Sequence, residues 1–185
     1  MPSEARAGAA NDDQAAPPLP SPDRIQELLF DAARLGREDM IIPLLQAGAN
    51  MMALDPRGYS ALILASYHGH EAATAVLLQQ GAAVNQQDGT RGNTALMGVA
   101  FKGYTDIAGL LLDAGADPHA KNSAGQTALM MAALFGHSAI VDLLVNRGGD
   151  PHVRDAAGNS AVSMAQTQNN ELMVARLNAR RRTLA

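Results

Sequence analysis

Five histidines are the residues of this sequence best suited to general acid–base catalysis or metal binding. Four of them are regularly spaced in the sequence. The number of residues between His70 and His137 is about twice the number between His119 and His152. Cysteine is absent, which excludes disulfides, thiol nucleophiles and Cys-based metal sites. No glycine-rich phosphate loop or nucleophile elbow accompanies the histidines. Their spacing has to be explained by the elements that carry them before any site is assigned.

The same spacing runs through most of the sequence as a repeat. Glycines recur as Gly58, Gly92, Gly125 and Gly158, and the first interval is longer than the other two by a single position. A period of about 33 residues predicts a stacked array of small units, each of which buries its apolar face only against its neighbours. Equivalent positions of neighbouring units then lie roughly 10 Å apart, the helix-packing distance. Histidines in such a row are too far apart to share a metal ion, so we expect them to pack or to bond loops. We predict no enzyme, no catalytic or metal site and no cofactor.

One unit, residues 125–151, predicts two short helices and two turns. Thr127 can cap the first helix with its hydroxyl, and Gly136 can end that helix in a left-handed conformation. Ser138 can cap the second helix, whose apolar residues follow the i, i+3, i+4 spacing of one buried face. Pro151 prevents the second helix from continuing. The predicted fold class is all-α: a solenoid of helix–turn–helix units with β-turn fingers, about five helix pairs including two caps.

These segments resemble the ankyrin repeat, a unit of about 33 residues with a β-turn, two antiparallel helices and the pattern G-x-T-P-L-H-x-A-A-x-x-G-H. The matching segments are GYSALILASYHGH from Gly58, GNTALMGVAFKGY from Gly92, GQTALMMAALFGH from Gly125 and GNSAVSMAQTQNN from Gly158. Alanine stands at the proline position of the family, and Ile63, Met97, Met130 and Ser163 stand at its histidine position. The resemblance indicates a bacterial-type ankyrin repeat protein without the usual imidazole bridge between repeats.

The repeat register divides the chain into a tail and five repeats. Residues 1–23, rich in Ala, Pro, Ser and acidic residues, are predicted to form a disordered N-terminal tail. The ankyrin repeat domain then spans residues 24–185, with repeats at 24–54, 55–87, 88–121, 122–154 and 155–185. We expect the first and last repeats to be caps, because Arg24, Gln26 and Glu27 give one end a polar face and Asn169 replaces the helix-ending glycine at the other.

The overall charge narrows the class of partner. A formal net charge of −4 and a pI near 5.6 argue against a general binder of nucleic acid or anionic membranes. Residues 1–23 lack an apolar h-region, so we expect neither a secretory signal nor a membrane anchor. The arginines at 176 and 180–182 are expected to stabilise a helix C-terminus. We predict a monomeric, cytoplasmic protein that binds another protein, with no nucleic acid, membrane or small-molecule substrate.

The resemblance also implies which residues contact the partner. In the ankyrin family these positions lie on the turn tips beside the opening glycine and at the end of the first helix. In this chain they are Arg57, Tyr59, Tyr67, His68, Arg91, Asn93, Phe101, Lys102, Gln126, Leu134 and Phe135. Four of the six Tyr and Phe residues fall among them, and aromatic anchors ringed by polar groups are typical of interface hot spots. Alternatively, Tyr67 and its equivalents are half-buried against the next turn.

Two further features concern the edge of this surface. Arg57, Arg91 and Lys102 are expected to rim the aromatic residues and to favour an acidic edge on the partner. The finger at residues 88–92 is one residue longer than the other fingers. We expect it to protrude further, with neutral drift in length as the alternative.

The function that follows is a non-enzymatic adaptor or regulator that binds a partner protein through its concave face. A second hypothesis is a secreted bacterial effector that uses the same surface in a host cell, as some relatives do. The family resemblance also implies a further alternative, the dedicated partner of a specific enzyme such as a catalase. An enzyme with a cryptic site would need clustered titratable groups that the repeat register does not supply.

Overall fold

The computed structural model describes residues 20–179, which form ten helices in five consecutive pairs. The helices are α1 (Pro22–Leu35), α2 (Glu38–Gln46), α3 (Ala61–Tyr67), α4 (Glu71–Gln79), α5 (Ala95–Lys102), α6 (Thr105–Asp113), α7 (Ala128–Leu134), α8 (Ser138–Asn146), α9 (Ala161–Thr167) and α10 (Glu171–Asn178). Within residues 20–179 the pairing of strands is limited to one isolated bridge between Leu54 and Ser60. The predicted all-α solenoid of five helix pairs is confirmed.

The first helix of each of the last four pairs begins at a hydroxyl cap. The capping residues are Ser60, Thr94, Thr127 and Ser160, and each accepts a hydrogen bond from the backbone N–H three residues later. The predicted cap at Thr127 is therefore confirmed. The predicted cap at Ser138 is wrong, because Ser138 is already the first residue of α8 and its N-cap is His137, which makes no side-chain cap bond. The imidazole of His137 bonds the preceding repeat instead.

Left-handed glycines end the first helices, as predicted for Gly136, whose φ is +75°. Gly103 has a φ of +87°, and its lack of a side chain serves a second purpose. A Cβ built there would lie 2.7 Å from Cε1 of His137. Glycine at this position therefore permits both the left-handed backbone conformation and the close approach of the neighbouring repeat.

The helices pack in two rows. Helices α1, α3, α5, α7 and α9 stack on one another, and the second helix of each pair stacks on its counterparts in the other row. Fully buried leucines such as Leu29, Leu96 and Leu129 fill the first row, and Ile41 and Leu77 belong to the second. Since helices this short are marginal alone in water, contacts between neighbouring repeats supply most of their stability.

The ends of the chain fall partly outside the described region. The predicted disordered tail lies outside the described residues up to residue 19, and so do the arginines at 180–182. Helix α1 begins at Pro22, two residues before the predicted start of the array, with the Ser21 hydroxyl accepting from the N–H of Arg24. Asn169, with a φ of +52°, takes after α9 the left-handed position that glycine holds after the other first helices. In residues 20–179, no helix is both long and apolar enough to span a membrane.

Candidate protein-binding groove

A groove of about 590 Å³ lies between the fingers and the first helices of the central repeats. Eight of the eleven predicted contact residues line it: Arg57, Tyr59, Tyr67, His68, Arg91, Asn93, Phe101 and Gln126. Lys102, Leu134 and Phe135 lie outside its lining. The structure thus brings residues of three successive repeats to one concave site.

The aromatic residues form a continuous row along the ends of the first helices. The ring of Tyr67 stacks on that of Phe101, with centroids 6.4 Å apart and planes 13° apart. Phe101 meets Phe135 edge-on, at 4.6 Å between centroids. Tyr67, Phe101 and Phe135 remain 39, 40 and 48% exposed. The rings partly cover one another, and nearly half of their surface is free for a partner.

Lys102 lies at the edge of this row. Its Nζ is 5.1 Å from the centroid of the Tyr67 ring, within the range of a cation–π contact. Leu134, which occupies the Phe101 position in the next repeat, is only partly exposed. Phe135 therefore continues the row from the position equivalent to Lys102.

The fingers are held by a short polar side chain at the base of each turn. These residues are Asp55, Asp88, Asn122 and Asp155, and each accepts backbone N–H groups from its own turn. In the longer finger, Oδ1 of Asp88 accepts from the backbone and hydroxyl of Thr90 and from the N–H of Arg91 and Gly92. Its Oδ2 accepts from the N–H of Asn93. The carboxylate of Asp88 thus holds the longer turn, including its additional residue, through hydrogen bonds.

These hydrogen bonds keep Asp88 charged. Burial raises the pKa of the Asp88 carboxyl, but hydrogen bonds from Thr90, Arg91 and Asn93 outweigh burial and leave that pKa below its usual value of 3.8. Asp55 is similarly occupied, because it accepts from its own turn and forms an ion pair of 3.2 Å with Arg34. Both groove carboxylates stay negatively charged, but the charge of Asp55 is offset by Arg34, and that of Asp88 is turned towards the N–H groups of its own finger.

The arginine side chains of the groove form fewer hydrogen bonds than its carboxylates do. Arg34 is paired with both Asp31 and Asp55. In the part of the chain that the structure describes, no carboxylate forms an ion pair with the exposed guanidinium group of Arg57 or Arg91. Against these two cations stands one groove carboxylate without an ion pair in residues 20–179, that of Asp88, so the unpaired charge of this surface is positive on balance.

His68 lies among these cations. Burial lowers the pKa of the His68 imidazole, and the nearby charges of His70, Arg34 and Lys102 lower it further from 6.5. The His68 ring is 6.3 Å from that of His70, between centroids. At pH 7 His68 is therefore neutral, and the positive charge of the groove comes from arginine and lysine.

Two of the other histidines, His70 and His137, bond the preceding repeat through their imidazoles. Nε2 of His70 lies 2.9 Å from the carbonyl oxygen of Arg34, and Nε2 of His137 lies 3.1 Å from that of Phe101. Two junctions between repeats are therefore bridged by imidazoles after all, from the histidine that follows the helix-ending glycine in the family pattern and not from its earlier histidine. Among residues 20–179, no three His, Asp or Glu side chains are placed to hold a metal ion.

Comparison with known proteins agrees with the geometry. The sequence profile of ankyrin repeats in three copies matches residues 29–122, and a profile of many copies matches residues 111–165. The chain belongs to the ankyrin repeat family.

It is 39% identical over 88 residues to an ankyrin repeat-containing protein of Treponema pallidum (strain Nichols), a match that covers 48% of this chain and 30% of that protein. It is also 36% identical over 97 residues to the ankyrin repeat domain-containing protein SAT10 of Stachybotrys chartarum (strain CBS 109288 / IBT 7711), covering 52% of this chain and 5% of that protein. The chain thus matches less than a third of either relative.

Sequence reasoning missed one feature of the ankyrin groove, a notch at Gly98. This glycine lies inside α5 and lines the groove, at the position held by Leu64 and Met131 in the neighbouring repeats. Beyond its own helix, a Cβ at Gly98 would meet only Cδ2 of Tyr67, at 3.3 Å. A glycine within a helix costs about 1 kcal/mol relative to alanine. The sequence does show that Gly98 departs from the larger residues at this repeat position. It does not show that the position faces a groove.

Arg34 was missed for a different reason. It lines the groove and occupies, in the first repeat, the position of Tyr67 and Phe101. The prediction treated the first ankyrin repeat as a cap and did not extend the contact positions to it. Extending the register back by one repeat from Tyr67 would have found it.

Proposed function

We propose that this protein is a non-enzymatic module that binds a partner protein through the concave groove and the aromatic row beside it. Ankyrin repeats are protein–protein interaction modules, and the chain has the repeat architecture throughout the described region. The observation that carries the proposal is the row of Tyr67, Phe101 and Phe135, which stays nearly half exposed in a chain with only six Tyr and Phe residues. Exposed aromatic clusters with a polar rim are typical of interface centres.

We further propose that the protein acts as a monomeric adaptor or regulator in the cytoplasm. The absence of cysteine is compatible with a reducing compartment. The groove carboxylates are occupied by turns and the groove has no metal-ligand cluster among the described residues, so the surface favours recognition over catalysis. Fractionation of source cells, followed by detection of the protein in each fraction, tests the compartment.

The partner test compares wild-type protein with Phe101→Ala and Phe135→Ala as baits in cytoplasmic extract. We expect both variants to lose the specifically captured protein, with affinity for the purified partner at least tenfold weaker, because an aromatic anchor contributes about 2 kcal/mol or more at an interface centre. Their melting temperatures should change little, since the rings are exposed. Leu172→Ala is the matched control, because Leu172 is an exposed apolar residue on α10, 84% accessible and away from the groove.

Two outcomes would contradict the proposal. Early unfolding of both phenylalanine variants would place the rings in the core. Full retention of the partner by both folded variants would place the binding surface elsewhere, and loss in Leu172→Ala alone would place it at the other end of the array.

A further inference from the structure

The groove carries unpaired positive charge on a protein whose net charge is −4. Both aspartates that line it, Asp55 and Asp88, are occupied by hydrogen bonds from their own turns. The guanidinium groups of Arg57 and Arg91 are exposed and form no ion pair with any carboxylate in residues 20–179. A ligand with carboxylates would therefore complement this surface without displacing an existing pair.

The two arginines are also spaced by the repeat. Arg57 and Arg91 each precede the turn glycine of their fingers, and the two fingers touch through a hydrogen bond of 2.8 Å from the N–H of Gly89 to the carbonyl of Gly58. Equivalent positions in packed repeats are roughly 10 Å apart. An extended polyproline II segment rises about 3.1 Å per residue with three residues per turn, so side chains i and i+3 lie on one side about 9 Å apart. Two carboxylates three residues apart match the two arginines.

The notch lies between these contacts and the helices. Gly98 leaves a gap in the row of larger side chains formed by Leu64 and Met131, and the ring of Tyr67 forms one wall of that gap. An apolar side chain that entered it would contact Tyr67 on one side. In a polyproline II segment, residues i+1 and i+2 point about 120° to either side of the carboxylates, so one of the two can face the helices.

We propose that the groove binds an acidic segment of a partner protein in which two carboxylates, three residues apart, contact Arg57 and Arg91 while a bulky apolar residue between them fills the notch at Gly98. This rests on the proposed function and specifies the chemistry of the partner. Residues 1–19 of this chain do not fit, because their acidic residues, Glu4, Asp12 and Asp13, include no pair three apart. Nucleic acid fits less well, because two free arginines supply few phosphate contacts on an acidic chain.

The test uses a displayed library of random peptides, selected on immobilised full-length protein. We expect enriched sequences with two Asp or Glu residues three apart and a bulky apolar residue between them. A fluorescein-labelled synthetic peptide of the enriched sequence is then titrated in fluorescence anisotropy. Its affinity should fall several-fold between about 50 and about 500 mM salt, because screening weakens exposed ion pairs.

Two variants separate the contacts. Gly98→Met fills the notch with the side chain that the next repeat carries, and it should weaken the peptide tenfold or more. Gly109→Met is the matched control, because Gly109 also lies inside a helix, α6, and a Cβ there would meet nothing within 4 Å. We expect it to bind the peptide as wild type does. Melting temperatures at or above that of wild type for both variants show that the fold is intact.

The charge contact is tested by Arg57→Glu with Arg91→Glu, which should also reduce binding at least tenfold. Enrichment of peptides without the acidic pair, no enrichment above background, or equal binding by wild type and Gly98→Met would each overturn the inference. A basic consensus, or association of the protein with itself that the same variants abolish, would assign the groove to another ligand and overturn it as well. In those cases, loss of the captured partner by Phe101→Ala would still support the proposed function, which is therefore tested separately from the acidic ligand.

Discussion

The carboxylate of Asp88 organises the longest finger of the array through hydrogen bonds from five donors. In the next repeat the equivalent residue is Asn122, which accepts from its turn with one oxygen and donates through its amide to Asn93 and Gln126. The chain therefore shows that an amide can serve at this position. It also shows what is specific to Asp88, whose two oxygens both accept backbone N–H groups of its own turn.

Replacement of Asp88 by asparagine should lower the free energy of unfolding at pH 7 by about 1 to 2 kcal/mol, because a charged acceptor of several N–H groups is lost. The pKa of Asp88 is lowered by folding, so its stabilising contribution is fully present above 3.8 and is lost as the pH falls through the lower pKa of the folded state. The difference between wild type and Asp88→Asn, measured by urea unfolding, should be constant from pH 7 to about pH 5 and should shrink below pH 3.8.

Asp31→Asn is a suitable control, because the carboxylate of Asp31 pairs with Arg34 but does not hold a turn. Its difference from wild type should be smaller at pH 7. A difference for Asp88→Asn that grew towards low pH would contradict the assigned role of the carboxylate.

Helix ends were predictable from the sequence where one residue type determines them. Thr127 and Gly136 were assigned correctly because a hydroxyl before an apolar run and a glycine after it each have a local physical reason. Ser138 was assigned wrongly because α8 begins after His137 without a side-chain cap, and α4 and α6 begin in the same way after His70 and Tyr104, so no local cap marks this helix end. The ring contacts of Phe101 and the notch at Gly98 depend on how repeats stack, and spacing along the chain does not give that geometry.

Three glycine-to-valine variants measure how a helix end is stabilised. Gly109→Val lies inside α6 in open space and should change the melting temperature least. Gly136→Val adds a side chain at a φ of +75°, where strain costs about 1–2 kcal/mol, and the nearest atom to the added Cβ is 3.9 Å away. Gly103→Val combines similar strain with displacement of His137, whose hydrogen bond contributes about 1 kcal/mol more.

The expected order of destabilisation, measured by circular dichroism melts, is therefore Gly103→Val, then Gly136→Val, then Gly109→Val. Equal melting temperatures for the first two would show that the imidazole bridge contributes nothing. An unchanged melt for both would mean that the left-handed helix ends are misplaced.

At the scale of the whole molecule, the register of the repeats predicted the number and order of helix pairs because each pair is stabilised by its neighbours in the same way. The tail remains a prediction from composition. Deletion of residues 1–19 retains Ser21, the cap of α1, so the melting temperature should stay within error of that of the full chain. Limited proteolysis of the full chain should cut this segment first, as judged by mass spectrometry of the earliest fragments. A melting temperature lowered by several degrees would show that the tail packs on the array.

The imidazole bridges also divide the array unevenly. His70 ties the first repeat to the second, and His137 ties the third to the fourth, whereas Tyr104 occupies the equivalent position between the second and third. No hydrogen bond joins the Tyr104 side chain to the preceding repeat in the described part of the chain, although its ring packs against Gly69. In mechanical terms, the joint between the second and third repeats has no imidazole tie at the helix ends, and it is held at the fingers by hydrogen bonds such as those from Gly89 to Gly58 and from Gln87 to Lys121. If the array is stretched from its ends, we expect this joint to yield before the tied ones. Its compliance would then set how far the groove can widen to admit a bulky side chain.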